Sequence, residues 1–175
     1  KRYKNIFSRT SEFNIDARKH HDRIQAEKYA LSEEDSPERN ERSPKTLEST
    51  FVIADWLAIH YQRKFFRMLR VTHILAVLMG LSYILYSELF GNIYSLAAFL
   101  GLFILGVIFF KLAENRAWQR KYLEYRALAE GLRVQFYWTA ASVRSGDGTS
   151  FTHDRFLQKQ DVELGWIRNV MRVAG

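Results

Sequence analysis

The densest group of metal-ligating residue types is the pair His20 and His21, which lies between Asp16 and Asp22. A structural zinc site needs about four ligands that converge on one point. Adjacent residues of a helix point to different faces, so only one of the two histidines shares a face with Asp16. We interpret the group as a solvated helix surface, and we predict no bound metal and no cofactor.

Two other ionisable residues, His73 and Glu88, lie within a strongly apolar part of the chain. Ionisable groups at membrane depth often line ion pathways, so both are candidate pore or mouth residues. The favoured alternative for each is contact with lipid headgroups or, for His73, a hydrogen bond to a neighbouring helix. The sequence has no cysteine, no phosphate-binding glycine loop and no recognisable Ser/His/Asp set or carboxylate pair. An enzyme is therefore the weakest hypothesis, and we predict no catalytic residues.

The elements that would position these residues are two apolar runs, 71–90 and 93–112, joined by Gly91 and Asn92. Each run has about 20 residues, the length that a helix needs to cross a bilayer core of about 30 Å. The charged residues Glu88 and Lys111 lie near the ends of their runs, where side chains can reach the headgroups. A hairpin buried in a soluble core is the alternative. We predict a transmembrane helical hairpin.

The basic residues close to the hairpin lie on one side of it. They precede the first run and follow the second, whereas the connection carries no Lys or Arg: Arg63, Lys64, Arg67, Arg70, Lys111, Arg116, Arg120 and Lys121. This distribution predicts a multi-pass protein of the bacterial inner membrane with both termini in the cytoplasm. It also predicts anionic lipid headgroups as partners. The net charge of +7 does not form a basic stripe with interleaved aromatics, so we predict no nucleic-acid partner.

The remaining sequence predicts helices on the cytoplasmic side. The predicted segments are an N-terminal helical segment (1–31), a flexible charged linker with both prolines (32–48), the hairpin with its helical stalk (49–142) and a C-terminal helix (143–175). In detail, we expect helices over about 11–31, 50–70 and 152–173, and a second span that continues unbroken to about residue 141. The predicted fold class is an all-α membrane protein: a two-span transmembrane helical hairpin with long cytoplasmic helical extensions and docked soluble helices.

A coiled-coil-like seam follows the second run. Its members are spaced alternately four and three residues apart: Trp118, Tyr122, Tyr125, Ala129, Leu132 and Phe136. The favoured interpretation is that the seam packs against the chain's own helix over 50–70, and the alternative is that it binds a partner helix. Arg126 and Glu130 lie four residues apart, so we expect an ion pair and similar small effects when either is replaced by alanine.

Small residues recur at helical spacing in both runs. Ala76 and Gly80 lie four residues apart, as do Ala97 and Gly101, and Gly106 follows. Small residues at this spacing let helices approach closely within lipid, although chance also produces such pairs. We expect one small-residue face inside the hairpin and another between the subunits of a homo-oligomer.

The stretch 122–138, YLEYRALAEGLRVQFYW, resembles the segment after the second span in bacterial two-transmembrane domains of the SLATT type, which are associated with SMODS nucleotide-second-messenger synthases and with ligand-sensing SLOG domains. The residues that carry the resemblance are Tyr125, Arg126, Ala129, Glu130, Leu132, Arg133 and Trp138. The stretch 13–17, FNIDA, is similar to a segment upstream of such hairpins in some longer bacterial proteins. The resemblance covers about residues 50–173.

The resemblance implies a membrane effector of a bacterial anti-phage or conflict system, which forms a pore or perturbs the inner membrane when a sensor detects infection. The family assigns no catalytic residues. No nucleotide-binding sensor domain is recognisable in the sequence, so the trigger would come from a partner or from further sequence, which we expect because residue 1 is Lys. The alternative function is a non-conducting, membrane-anchored scaffold or assembly protein that binds a partner through its cytoplasmic helices.

Overall fold

The computed structural model describes residues 2–27, 42–90, 93–140 and 164–174, and every element within these ranges is a helix. The helices are α1 (Arg2–Lys19), α2 (His21–Ala26), α3 (Arg42–Ile84, extended by a π-helical turn Leu85–Phe90), α4 (Ile93–Arg116), α5 (Trp118–Ala140) and α6 (Gly165–Ala174). The chain divides into two compact units. We call Lys1–Ile59 with Tyr122–Gly175 the helix unit, and His60–Lys121 the hairpin unit.

Three aromatic rings form the centre of the helix unit. The ring centroid of Phe13 in α1 lies 5.6 Å from that of Tyr125 in α5 and 5.9 Å from that of Trp166 in α6. The Tyr125 and Trp166 rings meet edge to face at 6.2 Å, and Trp166 is completely buried. Each such pair stabilises by about 0.5–1.5 kcal/mol beyond the area it buries. The cluster therefore joins α1, α5 and α6 into one core.

The N-terminal helical segment begins earlier than the sequence pattern predicted, and it is divided into two helices. We expected a helix over 11–31, whereas α1 begins at Arg2, and a break at His20 separates it from α2. The hydroxyl of Thr10, just before the predicted start, donates to the carbonyl oxygen of Ile6 at 3.0 Å inside the helix. Because residues 2–27 contain neither Gly nor Pro, nothing in the sequence stops the helix upstream of Thr10.

The predicted linker over 32–48 is partly helical, because α3 begins at Arg42. Pro44 lies in the first turn of α3, where its missing N–H costs no helical hydrogen bond. Leu47 already belongs to the core, with 1% of its surface exposed. The rest of the linker, 32–41, lies outside the described residues, as does 28–31, the predicted end of the N-terminal helix.

The second apolar helix does not continue unbroken, so the prediction of one helix to about residue 141 is wrong. Helix α4 ends at Arg116, and Ala117 has a left-handed backbone with φ of 48°. Its N–H donates to the carbonyl oxygen of Glu114 at 3.1 Å, and its own carbonyl accepts from Lys121 at 3.0 Å. One helix therefore ends and another begins around a single residue.

The last helix is described only in part. Helix α6 covers Gly165–Ala174, which agrees with the predicted C-terminal end near residue 173. Trp166, Ile167 and Met171 are completely buried, so this helix is part of the core of the helix unit. The predicted start near residue 152 lies outside the described residues.

We expect Ala117→Gly to stabilise the protein. A left-handed backbone costs an alanine about 1 kcal/mol that glycine avoids. The matched control is Ala127→Gly in the middle of α5, where the same exchange costs about 1 kcal/mol of helix propensity. The thermal midpoint of the helical circular dichroism signal, measured in detergent, should rise for the first variant and fall for the second. A fall for both would show that residue 117 is helical in solution.

Candidate functional site

Two helices are long and apolar enough to cross a membrane, one within Thr46–Glu88 and the other Ile93–Leu112. The most apolar 18-residue windows have mean hydropathies of 1.7 and 2.5, and none of their residues is buried. Val77 is 62% exposed and Ile104 is 57% exposed. A core helix of a soluble protein would bury such side chains, and a continuous apolar surface of this kind marks contact with lipid or protein.

The two helices of the hairpin unit meet along a seam of half-buried residues. The members are spaced alternately four and three residues apart on each helix: Leu75, Met79, Ser82 and Tyr86 on α3 and its π turn, and Ser95, Phe99, Leu102 and Gly106 on α4. The Tyr83 and Phe99 rings lie 5.9 Å apart across the pair. This spacing is typical of helices that cross at a shallow angle.

The sequence pattern did not reveal this seam, because both helices are apolar around their whole circumference. Ser82 and Ser95 were the residues from which the inner face of the hairpin could have been inferred. In a helix that faces lipid, hydroxyl groups turn towards another helix rather than towards hydrocarbon, and the structure gives both serines a half-buried position.

The small residues lie mostly away from the seam. A Cβ atom added to Gly80, Gly101 or Gly106 would meet no atom within 4 Å. Ala76 and Ala97 are also exposed. The expectation that one small-residue face closes the hairpin is therefore not borne out. Gly80, Gly101 and Ala97 are left on outward surfaces of the hairpin unit, whereas Ala76 is among the residues that line a cavity between α3 and α4.

His73 and Glu88 do not form one site. The Nδ1 of His73 lies 2.7 Å from the carbonyl oxygen of Leu69, one turn earlier in its own helix. A carbonyl oxygen can only accept, so this ring nitrogen donates. Glu88 is exposed in the π-helical turn at the far end of α3. At 1.5 Å per residue the two positions are about 22 Å apart along the helix.

The coiled-coil-like seam after the second run lies largely within the core of the helix unit. Tyr125, Leu132 and Phe136 are buried, as is Ala129, while Trp118 and Tyr122 are half-buried. The guanidinium group of Arg133 lies over the Phe51 ring of α3, 5.3 Å from its centroid. Tyr125 of the seam contacts Phe13 of α1 and Trp166 of α6. Packing of the seam against the chain's own helix over 50–70 stays a prediction.

The predicted Arg126–Glu130 pair is part of a longer series of charged contacts. Arg126 Nη2 lies 2.6 Å from Glu130 Oε1, and Arg126 Nη1 lies 3.2 Å from Asp55 Oδ1 of α3. Glu130 also accepts a hydrogen bond from Arg133 at 3.3 Å. The Asp55 side chain is only 6% exposed, against 42% for Glu130. The sequence signal for Asp55 was a single acid within the apolar stretch 51–59, FVIADWLAI.

The residues around His20 have structural roles in the helix unit. Asp16 is buried and accepts a hydrogen bond from the Tyr125 hydroxyl at 2.8 Å. The His20 ring packs beside Trp56 at 5.4 Å. Within the described ranges, no group of three or more His, Asp or Glu residues is placed to hold a metal ion.

Comparison with known proteins finds no protein family, no curated protein and no solved structure that matches this chain. The class that the described residues define is a helical protein with two candidate membrane-spanning helices.

The structure separates the expected effects of Arg126→Ala and Glu130→Ala. Removing Arg126 takes a charged partner from the buried carboxylate of Asp55, so we expect a loss of about 1–2 kcal/mol of unfolding free energy. Removing Glu130 breaks exposed pairs and should cost about 0.3–0.5 kcal/mol. Denaturant unfolding of both variants tests this ranking.

The control for this ranking is to measure the cost of Arg126→Ala a second time, in a protein that also carries Asp55→Asn. The cost of Arg126→Ala should fall in that background, because the buried charge is gone. Equal costs in both backgrounds would show that the contact with Asp55 contributes nothing.

Proposed function

We propose that this protein is a membrane effector whose hairpin unit crosses the bacterial inner membrane twice, with both termini in the cytoplasm, and which homo-oligomerises to permeabilise that membrane on a signal. The observation that carries the proposal is the exposure of both apolar helices: none of the residues in their most apolar windows is buried. Insertion into the hydrocarbon core of a bilayer would remove this apolar surface from water. It would leave no backbone polar group unpaired, because the N–H and C=O groups of a helix hydrogen-bond to one another.

The orientation is supported by charge. Arg67, Arg70 and Arg116 are exposed near the same end of the hairpin unit, and the far end carries Glu88. Basic residues are retained on the cytoplasmic side during insertion, which favours cytoplasmic termini. The anionic headgroups of that leaflet are the expected lipid partners.

Homo-oligomerisation is supported by the outward position of the small residues. Gly80 and Gly101 have open space where a side chain would lie. In lipid, association depends on close van der Waals contact, and glycine allows a second helix to approach the backbone.

The effector role rests on the resemblance of 122–138 to SLATT-type domains, and a sensor domain or partner protein would supply the signal. The competing scaffold role used the seam after the second run as a docking surface for a partner. That surface is reduced in the described residues, because Tyr125, Leu132 and Phe136 are buried. This burial favours the effector over the scaffold.

Topology can be tested by cysteine labelling, since the chain has no cysteine of its own. Ser8 and Ser87 are both exposed, one in α1 and one in the π turn of the hairpin. In spheroplasts, a membrane-impermeant maleimide should label Ser87→Cys directly and Ser8→Cys only after lysis. Carbonate extraction of the protein, or equal labelling of both variants before lysis, would contradict the proposed insertion.

Oligomerisation can be tested with Gly101→Leu, because a leucine side chain would fill the space that a second copy needs. We expect a smaller particle mass in nanodiscs than for the natural chain. The control is Ala98→Leu, which adds bulk at a neighbouring exposed position outside the small-residue pairs. An unchanged particle mass for Gly101→Leu would rule out this face. A natural chain that is monomeric in nanodiscs would favour the scaffold.

A further inference from the structure

We propose that the hairpin unit contains a binding site for one anionic phospholipid, with an acyl chain in a groove between α3 and α4 and the phosphate at the basic end of that groove. This inference rests on the proposed insertion in the membrane and adds a specific ligand to it.

The site consists of two adjoining cavities. The first, of about 260 Å³, is almost wholly apolar and includes Leu75, Met79 and Phe103 in its lining. The second, of about 410 Å³, is lined by Phe65, Met68 and Trp118 among others. Phe110 lines both cavities, and the α3 residues that line them recur at three- and four-residue spacing from Phe65 to Met79, so the two cavities are neighbours on one face of the hairpin. We call the two cavities together the depression.

The length of the depression matches one lipid leaflet. Its α3 side extends from Met79 to Phe65, which at 1.5 Å per residue is about 21 Å. Half of a bilayer, including its headgroup region, is about 20–22 Å thick. A phospholipid aligned with the hairpin would therefore reach from one end of the depression to the other.

The change in polarity along the depression matches the same ligand. The first cavity offers hydrocarbon contacts alone apart from Thr72 and Lys111, and Lys111 follows Phe110, the residue that lines both cavities. The outer part adds Gln119 and Arg120, together with one acid, Glu114. Two cations against one carboxylate favour an anionic headgroup over a zwitterionic one. The Trp118 ring, apolar with one N–H donor, suits the boundary between hydrocarbon and headgroups.

Two local features keep this space open. Ala117 lines the outer cavity at the position where α4 ends and the backbone is left-handed. Gly106 lines the inner groove, and a Cβ atom there would meet nothing within 4 Å. A leucine at position 106 would thus occupy the path of an acyl chain without displacing protein atoms near the backbone.

Tryptophan fluorescence can detect the bound lipid. The full chain is reconstituted in phosphatidylcholine vesicles, and either phosphatidylglycerol or phosphatidylcholine that carries bromine on the acyl carbons next to the glycerol, the part of the chain nearest Trp118 in the proposed pose, is added in increasing amounts. Bromine quenches a tryptophan that it contacts, and the difference between the natural chain and Trp118→Phe isolates the Trp118 signal. We expect the brominated phosphatidylglycerol to be preferred about fivefold, the effect of one basic residue near an anionic lipid.

Two matched pairs of variants locate the site. Gly106→Leu should abolish the preference, whereas Gly101→Leu, the same exchange outside the groove, should retain it. Arg120→Gln should reduce the ratio of phosphatidylglycerol to phosphatidylcholine binding towards one. Arg116→Gln should leave that ratio unchanged, because it removes an equal charge from an exposed residue outside both cavities.

Equal quenching by both lipids, or equal behaviour of the two glycine variants, would overturn the proposal while leaving membrane insertion intact. A chain that carbonate extracts and that neither lipid quenches would instead contradict insertion, and with it both proposals.

Discussion

The removal of apolar surface from water is the constraint on which both units depend, and α3 meets it in two ways. In the helix unit, Leu57 is completely buried by protein. Further along the same helix, Val77 is 62% exposed and Leu78 is 44% exposed. Removal from water is worth about 25 cal/mol per Å² of apolar surface, and a second half left in water would gain none of it. One helix therefore carries a protein-facing segment followed by a segment suited to lipid.

Apolar burial alone does not determine how the helices of the helix unit are aligned, because it has no direction. Polar contacts supply that direction. Asp16, Asp55 and Glu124 are all buried, and each pairs across helices: with Tyr125 at 2.8 Å, Arg126 at 3.2 Å and Arg9 at 3.0 Å. A shift of one helix by a turn would separate a buried acid from its partner at a cost of about 1–3 kcal/mol. These contacts favour one alignment over its neighbours.

The sequence predicted the features that depend on length and local spacing. The second apolar helix begins at Ile93 as expected, and Arg126 contacts Glu130 one turn away. The break at Ala117 was not predictable, because alanine is the strongest helix former and no Gly or Pro lies beside it. Asp55 was missed for another reason: its partner Arg126 lies 71 positions away, and spacing along the chain carries no information about such a contact. The inner face of the hairpin was hidden because apolar residues surround both helices.

The thinness of the hairpin seam bears on how a signal would act on it. Its members are only half-buried, and Gly106 contributes no side chain at all. Within a bilayer the hydrophobic effect does not favour one helix over lipid tails, so the contact between α3 and α4 has little beyond van der Waals packing to stabilise it. Any alternative arrangement of the two helices would then differ little from this one in free energy. A ligand or a second copy that binds one arrangement more tightly shifts the population by that difference in affinity. The groove that contains Gly106 and the outward face that contains Gly101 are two separate surfaces of α4, and a binder could act on either. Exchanging each glycine separately therefore distinguishes an effect of bound lipid from an effect of a second copy of the chain.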